Sequence, residues 1–172
     1  MMKLMFVLTI IAIVSSTALF AQNNNDVDTI PPYKKTDKIP YFSILQPDST
    51  WFVKNQLPEK KPVIIVYFSP DCGHCQMTAK ELVAGMDELK DVEMVWVSYH
   101  TPKQIKDFAD AYGLSHFNNV IMGRDPNYFF VPFYKIGFTP FMAVYDKNGK
   151  FLKAYDGGTT PDVLAQLIKT AK

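Results

Sequence analysis

Residues 61–77 read KPVIIVYFSPDCGHCQM, and the change of rhythm inside them decides the fold. From Lys61 to Pro70 the residues are β-branched and aromatic with prolines on either side, the composition of a strand buried on both faces. Beyond Cys72 the period changes. Cys75, Ala79, Leu82, Val83, Met86 and Leu89 recur at helical spacing, with Lys80, Glu81, Asp87, Glu88 and Lys90 between them. The only two cysteines of this 172-residue chain therefore fall where a central strand turns into a helix.

Working outward, VEMVWVSYH (residues 92–100) reads as a second buried strand. Pro102 opens a helix with Ile105, Phe108, Ala109 and Tyr112 inward and Gly113 as its stop. NNVIMG (118–123) reads as a short strand. DPNYFFVPFYKIG (125–137) starts like a helix, and Pro132 leaves its continuation open. TPFMAVYDKNGKFLKAYDGG (139–158) is a hairpin about the Asp146–Gly149 turn. A closing helix follows, capped by Thr160, with Pro161 in its first turn and Val163, Leu164, Leu167 and Ile168 as its apolar face. Upstream, YFSILQPDSTWFV (41–53) reads as an added hairpin. The order β-α-β-α followed by β-β-α predicts one α/β domain with a central mixed sheet flanked by helices.

Near the start, Lys3, an apolar run from Leu4 to Val14 and the small residues Ser15, Ser16, Thr17 and Ala18, followed by Leu19-Phe20-Ala21, read as a signal peptide over residues 1–21 cut after Ala21. The expected products are a flexible arm over 22–38, with Pro31-Pro32 inside it, and a domain over 39–172. The apolar run is short for a bilayer span, so no stable membrane insertion is expected after cleavage. The expected location is the periplasm or another exported space. The whole chain has 18 Lys and Arg against 17 Asp and Glu; loss of Lys3 balances them at 17 each. Arg124 is the only arginine and there is no basic stripe, which argues against nucleic acid as a partner.

Two cysteines three apart could form a redox switch, half of a metal site or a structural disulfide. A bridge closing so short a loop removes little entropy from the unfolded chain, so it is a poor staple. Placement at a helix start favours reactivity. Cys72 would sit at or before the first turn, where unpaired N–H groups and the helix dipole favour a thiolate, the attacking species. Cys75, one turn further in, could attack a mixed disulfide on Cys72 and release the product. Gly73 allows a tight turn, and a protonated His74 would lower the Cys72 pKa. Asp71 would oppose it.

With these residues in view the chain resembles the thioredoxin superfamily, and most closely its exported TlpA/ResA-like branch, over residues 39–171. The likeness rests on the added 41–53 segment, on VIIVYFS running into PDCGHC, and on the 139–158 stretch. CGHC is the tetrapeptide of protein disulfide isomerase domains. The resemblance implies a thioredoxin-like fold with an added N-terminal β-hairpin, and thiol–disulfide oxidoreductase activity without a cofactor. It implies Cys72 as nucleophile, Cys75 as resolving thiol, and Thr139-Pro140 as a cis-proline loop that binds substrate. The expected partners are client proteins carrying thiols or disulfides, and a redox partner. Departures are Val66 in place of the buried aspartate of thioredoxins, and Thr78 where the branch often has a glutamate. No proton-transfer partner for Cys75 is therefore evident.

Seven aromatics between Tyr128 and Phe141 read mostly as core, with an apolar rim at the active site as the alternative. The rival function is a copper-binding or metallochaperone protein using Cys72, Cys75, Met77 and a distal His100 or His116. His100 and His116 otherwise read as surface residues. Zinc and covalent haem lack ligands at the required spacing, and Ile65 breaks the peroxidase pattern.

Overall fold

The computed structural model describes residues 30–171, and the signal segment expected over 1–21 lies outside them. Seven strands form one mixed sheet: β1 (Ser43–Leu45), β2 (Trp51–Val53), β3 (Val63–Tyr67), β4 (Glu93–Ser98), β5 (Val120–Arg124), β6 (Phe141–Tyr145) and β7 (Phe151–Asp156). Their spatial order is β2-β1-β5-β4-β3-β6-β7. β3, β4 and β5 are parallel, whereas β6 runs antiparallel to β3, and β7 to β6. The 41–53 hairpin extends the far edge, with Leu45 opposite Arg124.

Every residue of β3 is buried because both of its faces are covered. Ile64, Val66 and Phe68 share one core with α2 (Gly73–Ala84), α3 (Pro102–Tyr112) and α5 (Pro161–Thr170). Val63, Ile65 and Tyr67 face the other, closed by α1 (Pro32–Thr36) and α4 (Phe130–Tyr134). Gly85 ends α2 where a side chain could not fit, since a Cβ there would lie 2.5 Å from Pro161 Cβ at the start of α5. The α3 N-terminus is a capping box: Thr101 Oγ1 accepts from the Gln104 N–H, and the Gln104 side chain accepts from the Thr101 N–H.

Three expectations change. The arm does not run free to residue 38: α1 buries Tyr33 against Tyr134 and Phe151, with ring centroids at 5.4 and 5.1 Å. The Ile39 N–H donates to the Gly149 carbonyl and the Phe151 N–H to that of Asp37. Thr160 stands before α5 without a side-chain capping bond, and its hydroxyl donates to the Asp162 carboxylate. Val163 is exposed, while Leu164 and Ala165 are buried and Leu167 and Ile168 pack partly buried against the same core. Pro132, in the first turn of α4, leaves that helix intact because the N–H it lacks has no partner there in any helix. The aromatic segment divides: Phe130, Tyr134 and Phe141 are core, and Tyr128 and Phe138 are exposed.

Candidate active site

The strand-to-helix junction places both sulfurs beyond the C-terminal end of β3. Cys72 is the N-cap residue of α2, in extended backbone, and its carbonyl receives the Gln76 N–H at 3.0 Å. Gln76 also fixes the loop, its Nε2 donating to the Pro70 carbonyl at 2.9 Å. Cys72 is half-buried and Cys75 fully buried, and both are free thiols.

Across from them lies the loop before β6. The Thr139–Pro140 peptide bond is cis, and Cys72 Sγ lies 3.4 Å from the Thr139 carbonyl oxygen. The turn after β7 backs this loop: the Gly157 N–H donates to the Pro140 carbonyl at 2.9 Å. At Gly158 φ is +84°, and a Cβ would stand 3.0 Å from Pro140 Cγ and 3.4 Å from Thr78 Oγ1. Glycine is needed there for both reasons.

The two thiols are driven apart. Burial raises the Cys72 pKa, but hydrogen bonds from the Cys75 backbone and thiol, the Thr139 side chain and the His74 backbone outweigh it, and the net direction is down. Burial pushes Cys75 up to about 12; a Ser69 backbone hydrogen bond opposes this, while contact with the Cys72 sulfur adds to it. The larger influences on Cys72 are thus its own turn and Thr139, ahead of the Asp71 carboxylate and His74 ring named from the sequence. His74 is exposed and contributes its N–H.

Asp71 is engaged elsewhere, with a partner the sequence reading assigned to the surface. His100, 8 % exposed at the end of β4, holds Asp71 Oδ2 at 3.1 Å through Nε2 and Ser98 Oγ at 3.1 Å through Nδ1. The available signal was its place just beyond the C-terminal end of a parallel strand beside β3, where α/β sheets gather functional groups. Val66 and Thr78 are buried, and neither offers Cys75 a carboxylate. The copper set is not assembled: among the described residues no three His, Cys, Asp or Glu side chains are grouped to hold a metal.

A family model for a thioredoxin-like domain matches residues 53–172. The chain belongs to the thioredoxin superfamily. No curated protein matches the sequence. Among solved structures, a secreted Mycobacterium tuberculosis disulfide oxidoreductase homologous to E. coli DsbE superposes with a TM-score of 0.62 at 18% identity, covering 75% of this chain and 95% of that one. StoA of Bacillus subtilis gives 0.58 at 16% identity, over 74% and 96%. Copper-bound ScoI of Arabidopsis thaliana gives 0.61 at 17% identity, over 76% and 98%. At these identities the likeness is one of fold, and a fold shared by redox and copper proteins leaves function to the site.

Proposed function

We propose that this thioredoxin-superfamily chain is an exported thiol–disulfide oxidoreductase acting through Cys72 and Cys75. The observation that carries this reading is the asymmetry of the pair: a partly accessible thiol of depressed pKa at the first turn of α2, and a buried one of raised pKa behind it. In the reducing direction the Cys72 thiolate attacks one sulfur of a client disulfide. The client S–S bond breaks, one client thiolate leaves, and a Cys72–client disulfide forms. Cys75 then gives up its proton and attacks the Cys72 sulfur, closing the Cys72–Cys75 disulfide and releasing the second client thiolate. Two electrons pass from the protein pair to the client, and the oxidising direction is the reverse.

Thr139 and Pro140 are the substrate-facing loop in this reading, supported by the contact of the Thr139 carbonyl with Cys72 Sγ. Residues 1–21 act as the export signal and leave a domain that works outside the cytoplasm with a separate redox partner. Among the described residues no helix is long and apolar enough to cross a membrane. The test equilibrates the chain in glutathione buffers, traps thiols by alkylation and weighs the product. A Cys72–Cys75 disulfide with a potential near about −270 mV assigns a reductant, and one near about −180 mV an oxidase or isomerase. Failure of the pair to form a disulfide in any buffer refutes the reading.

A further inference from the structure

Beside the thiols lies an open cavity of about 380 Å³, which has Thr139 in its wall. Thr139 therefore lines the cavity and touches the Cys72 sulfur, so a group seated in it lies about one residue from the reacting atom. A larger cavity, about 500 Å³, is lined by Val63 and the 147–149 turn, at the N-terminal end of β3 and away from the cysteines.

The walls of the smaller cavity are aromatic. Tyr99 and Tyr128 stack with centroids at 6.3 Å and an interplanar angle of 25°, and Phe138 is 72 % exposed. Tyr67 also lines it, is 3 % exposed, and has a buried hydroxyl without a hydrogen-bond partner among the described residues. Asp125, 1 % exposed, lies outside the wall; one carboxylate oxygen accepts from the Phe130 N–H at 3.0 Å and Oδ1 has no partner among the described residues. Burial, the Asp125 charge and the neighbouring Tyr99 and Tyr128 raise the Tyr67 pKa, which puts these groups within electrostatic reach of one another. A second carboxylate stands at the rim, where Asp156 Oδ1 accepts from the Phe138 N–H at 3.1 Å. Among the described residues no charged one lines the cavity itself: Arg124, Lys135, Asp125 and Asp156 all lie outside its wall.

Aromatic faces attract cations, more strongly when water is excluded. The Asp156 carboxylate, held by the N–H of the wall residue Phe138, sets the sign of the charge at the rim. We infer that this cavity receives a lysine or arginine side chain flanking the reactive cysteine of a client, so that the protein prefers clients with a basic residue next to that cysteine. The cation would lie against the exposed aromatic rings of Tyr99, Tyr128 and Phe138, beside the Asp156 carboxylate at the rim. This deepens the oxidoreductase reading and rests on it.

The test offers the reduced full-length chain symmetric disulfide dimers of a short peptide with one cysteine. Arg, Leu or Glu is placed at each of the two positions on either side of the cysteine. Rates are divided by those of dithiothreitol with the same dimer, which removes differences in the reactivity of the peptide disulfide itself. Arg at one flanking position should raise the normalised rate about tenfold over Leu, and Glu should be slowest. That preference should shrink to within about twofold in Asp156→Asn, and also in Tyr128→Leu, whose exposed position spares the core. Equal normalised rates for all dimers, a preference for Leu or Glu, or an Arg preference that survives both substitutions would each overturn the inference while leaving the redox reading in place. If no dimer is reduced at all, both fail.

Discussion

Cys72 and Cys75 are the same chemical group three residues apart, and the fold makes opposites of them. Cys72 stands at the helix cap, half in solvent, with N–H groups of its own turn and the Thr139 side chain around its sulfur, and its pKa falls. Cys75 points into the core shared by Val66, Phe68 and Leu82, and burial raises its pKa to about 12. One helical turn is the distance between a hydrogen-bonded rim and a dry interior. The β3–α2 junction and the Thr139 loop together set the two thiols apart.

The largest effect should come from the cysteines themselves. Cys72→Ser should reduce exchange to background. Cys75→Ser should still attack, and then accumulate as a mixed disulfide between Cys72 and the client, visible by mass and released by reductant. If Cys72→Ser instead accumulates a mixed disulfide between Cys75 and the client, the roles are reversed.

Next comes the pH dependence of stability in the reduced protein. A thiol whose pKa is raised on folding holds its proton in the folded state after the unfolded chain has lost it, so stability falls as pH rises through that window. For Cys75 the window runs from the ordinary thiol value to about 12, with a limiting slope of about 1.4 kcal/mol per pH unit. Cys72 has the opposite sign. Its depressed pKa adds stability above the unfolded value, and that contribution is lost as pH falls through the folded pKa. Denaturant titrations of the reduced and oxidised forms should diverge above about pH 9, with the oxidised form lacking the Cys75 slope. Parallel curves would mean that Cys75 is not shielded.

Smaller effects test the supports. Gly158→Ala should cost ~1–2 kcal/mol, because φ is +84° and the new Cβ meets Pro140 Cγ at 3.0 Å. It should also slow exchange by shifting the loop that brings Thr139 to Cys72, and unchanged thermal stability would show that the turn relaxes freely. His100→Gln should move the pH profile of Cys72 alkylation slightly upward, as Asp71 loses its imidazole partner; Asp71 is exposed, so the effect stays small. An identical profile would confine His100 to a packing role.

The junction of β3 and α2 was legible because two periodicities meet at the cysteines, and the order of the strands and helices followed from equally local signals. The Asp71–His100 pair was not, because residues 29 positions apart meet only through the parallel pairing of β3 with β4. Tyr33 looked like part of a polar tether, and its burial depends on Tyr134 and Phe151, two rings distant in sequence. The aromatic run from 128 to 141 held both core and rim, and only the geometry of α4 sorts Phe130 and Tyr134 inward from Tyr128 and Phe138. Tertiary contacts of this kind leave no periodic trace.

The most direct test of the asymmetry is the rate of alkylation of each thiol in the fully reduced chain as a function of pH, resolved by peptide mass mapping. Cys72 should be labelled with a midpoint below the ordinary thiol value, and Cys75 should stay protected until the pH approaches about 12. Two thiols labelled together at an ordinary midpoint, or Cys75 labelled first, would contradict the account.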